Sequence, residues 1–458
     1  MPGEQTDNMV PAEAAEHSHA EPSGGKITAL GRTLGSVLDA GRVLLARRRS
    51  QPETPAVDSA DALIDLCSEL LEHRGEASGL ALACEIVEGY RQLAENQRER
   101  FFVRLAREFE VDREAVLEAA ENYRIEGSID SLHAISRAVE APRCKLFGRI
   151  NMAPEGTRTL VAMRGHLLEE LKFKPELQGV ENDLRSLFFS WFNKGFLELR
   201  RIDWSSPASV LEKIIRYEAV HEINGWDDLR SRLGEDRRCF AFFHPALDDE
   251  PLVFVEIALT ETIPNALEPL LMQDREDELP GEANTVVFYS ISNCHPGLVG
   301  ISFGYFLIKA VIEELTREIP KLDTFVTLSP VPGFRKWLLD TDIDELVPEE
   351  LVDRVREPVG RVVDATVYDA LLRLCAHYLV NVKSGLYPRD GAARFHLGNG
   401  ARLHGLHGGA DLSQKGLEQS AGIMVNYLYD LSSIEENHEG YMDQGKIEVS
   451  KAVCRLLD

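Results

Sequence analysis

The chain has 458 residues, enough for roughly two to four domains and a sizeable core, so it needs no disulfide staples. Its 50 basic residues against 76 acidic ones leave a net charge of −26, which repels a phosphate backbone and argues against nucleic-acid binding. No apolar run approaches the roughly 18 residues that span a bilayer and no secretory signal opens the chain, so no membrane association is expected and the expected compartment is the cytoplasm.

Residues 1–50 hold six acidic and six basic residues, so the whole net charge falls on residues 51–458. The first 25 are rich in Glu, Ala, Ser and Gly with little to bury, and residues 1–55 read as a flexible extension. Within it Leu30, Leu34, Leu38 and Leu45 stand at near-helical spacing before Arg47, Arg48 and Arg49. That basic stretch resembles an import signal only faintly, because Glu4, Asp7, Glu13, Glu16 and Glu21 precede it and such signals are poor in acids.

Residues 56–190 read as a helical domain. Asp58 or Ser59 caps a helix whose Leu63, Leu66, Cys67, Leu70 and Leu71 share one face. Phe102, Leu105 and Phe109 form a second stripe, Asp112 caps a run with Val116, Ala119, Ala120 and Tyr123, and Leu160, Met163, Leu167 and Leu171 form another. Nothing here pairs a nucleophile with a base, so the expected role is scaffolding or oligomerisation. The seven cysteines stand singly, without the spacing of a zinc site or a redox pair, and read as free thiols.

From residue 191 to 458 the texture changes to short β-like runs between helices, expected at 239–243, 252–259, 285–290, 324–328 and 394–397. Acidic clusters such as Asp248, Asp249 and Glu250 sit between the runs, where charge is ordinarily a solvated face. The stretch 285–334 is a βαβ unit: strand, glycine-bearing loop, helix, strand, then Ser329-Pro330-Val331-Pro332-Gly333-Phe334. The loop and Ser329 thus lie at the carboxyl ends of neighbouring parallel strands, where open sheets bind ligands. Gly297, Gly300 and Gly304 permit either close approach of an anion to backbone amides or tight packing, and their spacing fits neither the dinucleotide fingerprint nor the Walker loop. Alternation places His396 opposite Phe395 and Leu397 on a strand that ends at the hairpin signal Asn399-Gly400. His404 and His407 invite a metal reading at i, i+3 but lack a third ligand. Asn426, Tyr427 and Tyr429 add polar groups to an apolar segment.

Together, Tyr289-Ser290-Ile291-Ser292, the loop and helix that run from Gly297 to Phe306-Leu307-Ile308-Lys309, the Ser329 to Phe334 motif and Phe395-His396-Leu397-Gly398-Asn399-Gly400-Ala401 resemble the malonyl-CoA decarboxylase family in order and spacing over residues 188–431. The resemblance implies an α+β multidomain chain: an N-terminal all-α helical bundle that mediates homo-oligomerisation (dimer or tetramer), then an α/β catalytic domain of the N-acetyltransferase fold. It implies conversion of malonyl-CoA to acetyl-CoA and carbon dioxide without metal or organic cofactor. Carried over, Ser329 and His396 match the catalytic pair, and Tyr429 with Asn399 supports them. Val299, Gly300, Ile301, Ser302, Phe303, Gly304 and Tyr305 match the CoA-binding loop. Ser302 stands where family members often carry Glu, and His404 and His407 where they carry Trp or Asn.

Loss of carbon dioxide leaves an enolate on the thioester, which needs donors at its oxygen and an acid for its carbon, so His396 is expected to donate the proton from a near-neutral pKa beside Ser329. An acyl-CoA-dependent N-acyltransferase is the nearest alternative, since fold alone does not separate them, and an inactive CoA-sensing scaffold is another. The terminal Arg455-Leu456-Leu457-Asp458 is not a peroxisomal address.

Overall fold

A computed structural model describes residues 29–48, 59–272, 282–301, 304–360 and 364–458. The rest of the extension, including most of its acidic part, lies outside the described residues, as do Ser302 and Phe303. The leucine-spaced stretch forms the helix Ala29–Arg48. Ser59 caps the helix Ala60–Glu72, its hydroxyl accepting from the Ala62 amide at 3.2 Å, and Leu63, Ile64, Cys67 and Leu70 are buried on one side. The helices Glu95–Glu108 and Gly156–Leu171 bury their expected stripes in the same core.

One stripe behaves differently. Asp112 caps the helix Arg113–Glu126 as expected, yet within that helix only Ala119 is buried. This helix forms a hairpin with Ile129–Ala138, leaving Leu117, Ile125 and Ile129 exposed. Amphipathic spacing makes the helix, but what it faces depends on the neighbours.

Among the described residues ten strands follow: β1 (Glu198–Ile202), β2 (Arg237–Phe243), β3 (Pro251–Thr260), β4 (Thr285–Asn293), β5 (Thr324–Thr327), β6 (Ser329–Pro330), β7 (Lys383–Ser384), β8 (Tyr387–Pro388), β9 (Arg402–His407) and β10 (Met424–Leu428). Eight make one mixed sheet: β1, β2, β3 and β4 are antiparallel neighbours, β4 and β5 are parallel, and β10 runs antiparallel between the β5/β6 line and β9. A helical region followed by a sheet with one parallel pair flanked by antiparallel strands is the acetyltransferase-like arrangement expected. Four expected strands are present, as β2, β3, β4 and β5.

The fifth is a helix. Residues 391–398 form the helix Gly391–Gly398, because Asp390 accepts from the Ala393 amide at 2.9 Å and starts a helical turn before alternation can act. Asn399-Gly400 is then not a hairpin turn but a helix stop. Gly400 takes φ +82°, and a Cβ there would lie 2.0 Å from the Ile434 carbonyl oxygen, so only glycine fits.

The helical region is not a separate body beside the sheet. Leu160, Val161, Leu247, Leu298 and Ile301 belong to one continuous buried cluster that joins the helix Gly156–Leu171 to the loop after β4. This contact positions the candidate site.

Candidate active site

β4 and β5 pair from Thr285 with Thr324 to Phe288 with Thr327, and beyond that β4 continues against β3 alone. Tyr289 is the extra residue of a bulge opposite Glu256 and Ile257, which bends β4 where the two parallel strands part. Just past the bulge, Ser290 donates to Glu218 at 2.7 and 2.8 Å and Ser292 at 3.1 Å, all three groups buried. The Tyr-Ser-Ile-Ser motif therefore anchors the strand's end on Glu218, a residue that sequence reading did not single out.

The loop then takes two different glycines for two reasons. A Cβ on Gly297 would lie 1.8 Å from the Val161 carbonyl oxygen, so this glycine lets the helix Gly156–Leu171 press against the loop. Gly300 has nothing within 4 Å of its would-be Cβ but takes φ +77°, so it serves the turn. Val299 and Gly300 are exposed, Ile301 is buried, and Gly304 and Tyr305 open the helix Gly304–Glu318.

Ser329, on β6, and His396, on the helix Gly391–Gly398, are brought together from 67 residues apart: Ser329 Oγ lies 3.1 Å from His396 Nε2. The helix supplies the approach, since Ala393, His396 and Leu397 share its buried side. Ser329 also donates to Thr327 Oγ1 at 3.0 Å, and His396 Nδ1 lies 2.8 Å from the Tyr429 hydroxyl. Tyr427 stacks on the imidazole with ring centroids 4.7 Å apart and planes at 23°. Asn399 ends the helix, its amide N–H donating to the carbonyls of Phe395 and His396, and its buried side chain lies beside Tyr429.

Burial decides the electrostatics. With no charge nearby to offset desolvation, His396 is pushed down to about 3, so the ring is neutral at ordinary pH. The near-neutral acid expected from the sequence is thus corrected: the isolated site holds an uncharged imidazole in an apolar shell. Desolvation likewise pushes the Tyr429 hydroxyl well above its usual value, and Asn399 acts in the opposite direction.

Thr327 carried no signal in the sequence beyond its β-forming character, and Tyr427 stood out only as a polar group in an apolar segment, not as a ring stacked on His396. His404 and His407 lie on β9, His404 as the extra residue of a bulge opposite Asn426 and Tyr427, and His407 Nε2 meets Asn426 Oδ1 at 2.5 Å. Among the described residues no group of three or more His, Cys, Asp or Glu side chains is placed to hold a metal ion. All seven cysteines are free.

The malonyl-CoA decarboxylase C-terminal domain model matches residues 195–458, and the N-terminal domain model of the same family matches residues 109–192. The chain belongs to the malonyl-CoA decarboxylase family. Its family relatives include the mitochondrial malonyl-CoA decarboxylase of Mus musculus, 33% identical over 469 residues, covering 93% of this chain and 93% of that protein. The mitochondrial enzyme of Anser anser anser is 34% identical over 82% of this chain and 83% of its own length. Among solved structures, the Rhodopseudomonas palustris malonyl-CoA decarboxylase superposes with a TM-score of 0.82 at 48% identity, covering 87% of this chain and 99% of that one. That of Agrobacterium vitis gives 0.80 at 46% identity over 86% and 99%. Like these relatives, the chain is an enzyme of the carboxy-lyase class. Two of them are named as mitochondrial, so the expected cytoplasmic compartment gains no support. No helix among the described residues is long and apolar enough to cross a membrane.

Proposed function

We propose that this chain converts malonyl-CoA to acetyl-CoA and carbon dioxide through a thioester enolate, with Ser329, His396 and Tyr429 handling the proton. The observation that carries the reading is the buried, uncharged chain of hydrogen bonds from Tyr429 through His396 and Ser329 to Thr327.

The Ser329 hydroxyl proton is directed at Thr327, which makes Oγ an acceptor toward His396. The matching tautomer carries its proton on Nε2 and accepts at Nδ1 from Tyr429. When the bond between the carboxylate carbon and the methylene carbon breaks, its electron pair passes into the thioester as an enolate and carbon dioxide leaves. The Ser329 hydroxyl turns to donate to the enolate oxygen. The methylene carbon takes the Nε2 proton while Nδ1 takes the Tyr429 proton, so the ring carries no net charge at any stage. A proton from solvent restores Tyr429, giving one proton consumed per carbon dioxide released. This relay accommodates a histidine held near 3, which a simple imidazolium donor does not. Asn399, which favours the charged form of Tyr429, supports the same step.

In this reading the CoA moiety lies along the loop formed by Val299, Gly300, Ile301, Ser302, Phe303, Gly304 and Tyr305, and the reaction runs in the cytoplasm. The chain is homo-oligomeric through its helical region, where the hairpin of Arg113–Glu126 and Ile129–Ala138 exposes apolar side chains. Fractionation and sedimentation test these two placements.

The deciding experiment incubates purified protein with malonyl-CoA alone, no amine and a chelator present, and follows acetyl-CoA and carbon dioxide. Stoichiometric products are expected, with His396→Asn lowering kcat by about 10³-fold while CoA affinity stays within about threefold. Turnover that begins only when an amine is added would reassign the chain as an N-acyltransferase.

A further inference from the structure

The helical region reaches into the site through one side chain. Arg164, on the helix Gly156–Leu171, is 1% exposed and makes four polar contacts with its guanidinium. Nε and one terminal nitrogen donate to the two carboxylate oxygens of Glu181 at 2.9 and 2.8 Å, a two-pronged pair that fixes the plane of the group. The other terminal nitrogen donates to the carbonyls of Gly297 at 2.6 Å and Val299 at 2.9 Å. Both carbonyls belong to the glycine-bearing loop, 133 and 135 residues further along the chain.

Peptide planarity gives this grip a consequence. In a trans peptide the carbonyl of one residue and the amide N–H of the next point in opposite directions. Holding the Val299 carbonyl inward on Arg164 therefore turns the Gly300 N–H outward, at a residue that is exposed and whose positive φ lets the backbone make that turn. The close contact of Gly297 with Val161 removes the alternative of sliding the loop along the helix.

We propose that Arg164, oriented by Glu181, is a positioning residue for CoA substrates: it aims the loop's outward amide at the diphosphate of the CoA moiety. This rests on the reading that the loop binds CoA. It also gives the helical region a part in substrate binding, rather than in scaffolding alone. A lysine at 164 keeps a charge for Glu181, but a single ammonium does not span the carboxylate and both carbonyls.

Arg143 provides the control, because it too is a buried arginine of the helical region, donating to Asp183 at 2.6 Å, Glu110 at 2.8 Å and the Phe109 carbonyl at 3.4 Å, with no hydrogen bond to the loop among the described residues. Arg164→Lys, Glu181→Gln and Arg143→Lys are compared with wild type by thermal denaturation, by CoA titration calorimetry, and by kinetics on malonyl-CoA and on malonyl-pantetheine, which lacks the diphosphate. Arg164→Lys is expected to raise KM for malonyl-CoA and Kd for CoA about tenfold with kcat within about twofold, as loss of one charge-assisted contact predicts. Its kcat/KM on malonyl-pantetheine should match wild type, and Glu181→Gln should show the same pattern more weakly. Arg143→Lys should lower Tm alone.

Equal losses on both substrates, or the same KM rise in Arg143→Lys, would overturn the assignment. If Arg164→Lys does not fold, Glu181→Gln carries the same comparison. Wild type that binds CoA without decarboxylating would sink the proposed function while leaving this inference to be read from CoA affinity. Wild type that binds no CoA would sink both.

Discussion

Arg164 with Glu181 and His396 with its neighbours are equally deep in the protein, yet one cluster holds a full ion pair and the other an uncharged ring. Desolvation penalises charge in both places. The difference lies in the partners. Arg164 faces a carboxylate and two carbonyls, all acceptors that suit a cation, whereas His396 faces two hydroxyls and the flat of Tyr427, none of which offsets a positive charge. The first arrangement is suited to holding backbone in place, and the second to passing a proton without charging the imidazole.

Three changes would break or sharpen that contrast. Among the substitutions, the largest effect on stability is expected from Gly297→Ala, whose Cβ would stand 1.8 Å from a helix carbonyl and must push the loop off Arg164. A loss of about 3 kcal/mol in stability is expected from such overpacking, against about 1 kcal/mol for Gly300→Ala, where only φ is strained. Urea denaturation of both variants checks the order, and a Gly297→Ala protein as stable as Gly300→Ala would show that the contact is not tight.

Next comes the pH dependence of stability. The folded protein holds His396 at about 3, while an unfolded histidine takes a proton near 6.5. Between these values the unfolded chain binds a proton that the folded one does not, so stability falls as pH drops from about 6.5 toward 3, by about 1.4 kcal/mol per pH unit. His221, pushed down to about 4 by its burial, adds to the same window. His396→Asn should therefore flatten part of the slope between pH 4 and 6, and an unchanged slope would mean that His396 is protonated in the folded protein.

The smallest expected effect is that of Tyr429→Phe, which removes the partner of Nδ1 while leaving the ring in its apolar setting. Loss of the proton that Nδ1 takes up in the relay should lower kcat by about 10²-fold with little change in KM. An unaltered kcat would remove Tyr429 from the proton path.

How far each cluster was legible in the sequence follows from how local its signals are. Ser329 stood out because a βαβ pattern, which depends on spacing over neighbouring residues, places it at a strand's carboxyl end. His396 was singled out by residue type and resemblance, but on the wrong element: four residues of Phe-His-Leu texture fit a strand as well as a helix, and the Asp390 cap outweighed alternation. Thr327, Glu218 and Arg164 carried no local signal, since each acts across 69 residues or more on a partner that only folding brings near, as Thr327 does through Ser329 to His396.

By itself, then, the sequence determined the change of texture from helices to mixed sheet, the parallel pair, the loop between them and the residue types able to move a proton, because helical and strand periods and glycine placement are local properties. Only the tertiary structure decided that His396 is neutral, that Gly297 is a packing glycine while Gly300 is a turning one, and that an arginine of the helical region holds the loop. Charge state and close contact depend on everything packed around a group, and that surrounding is assembled from residues far apart along the chain.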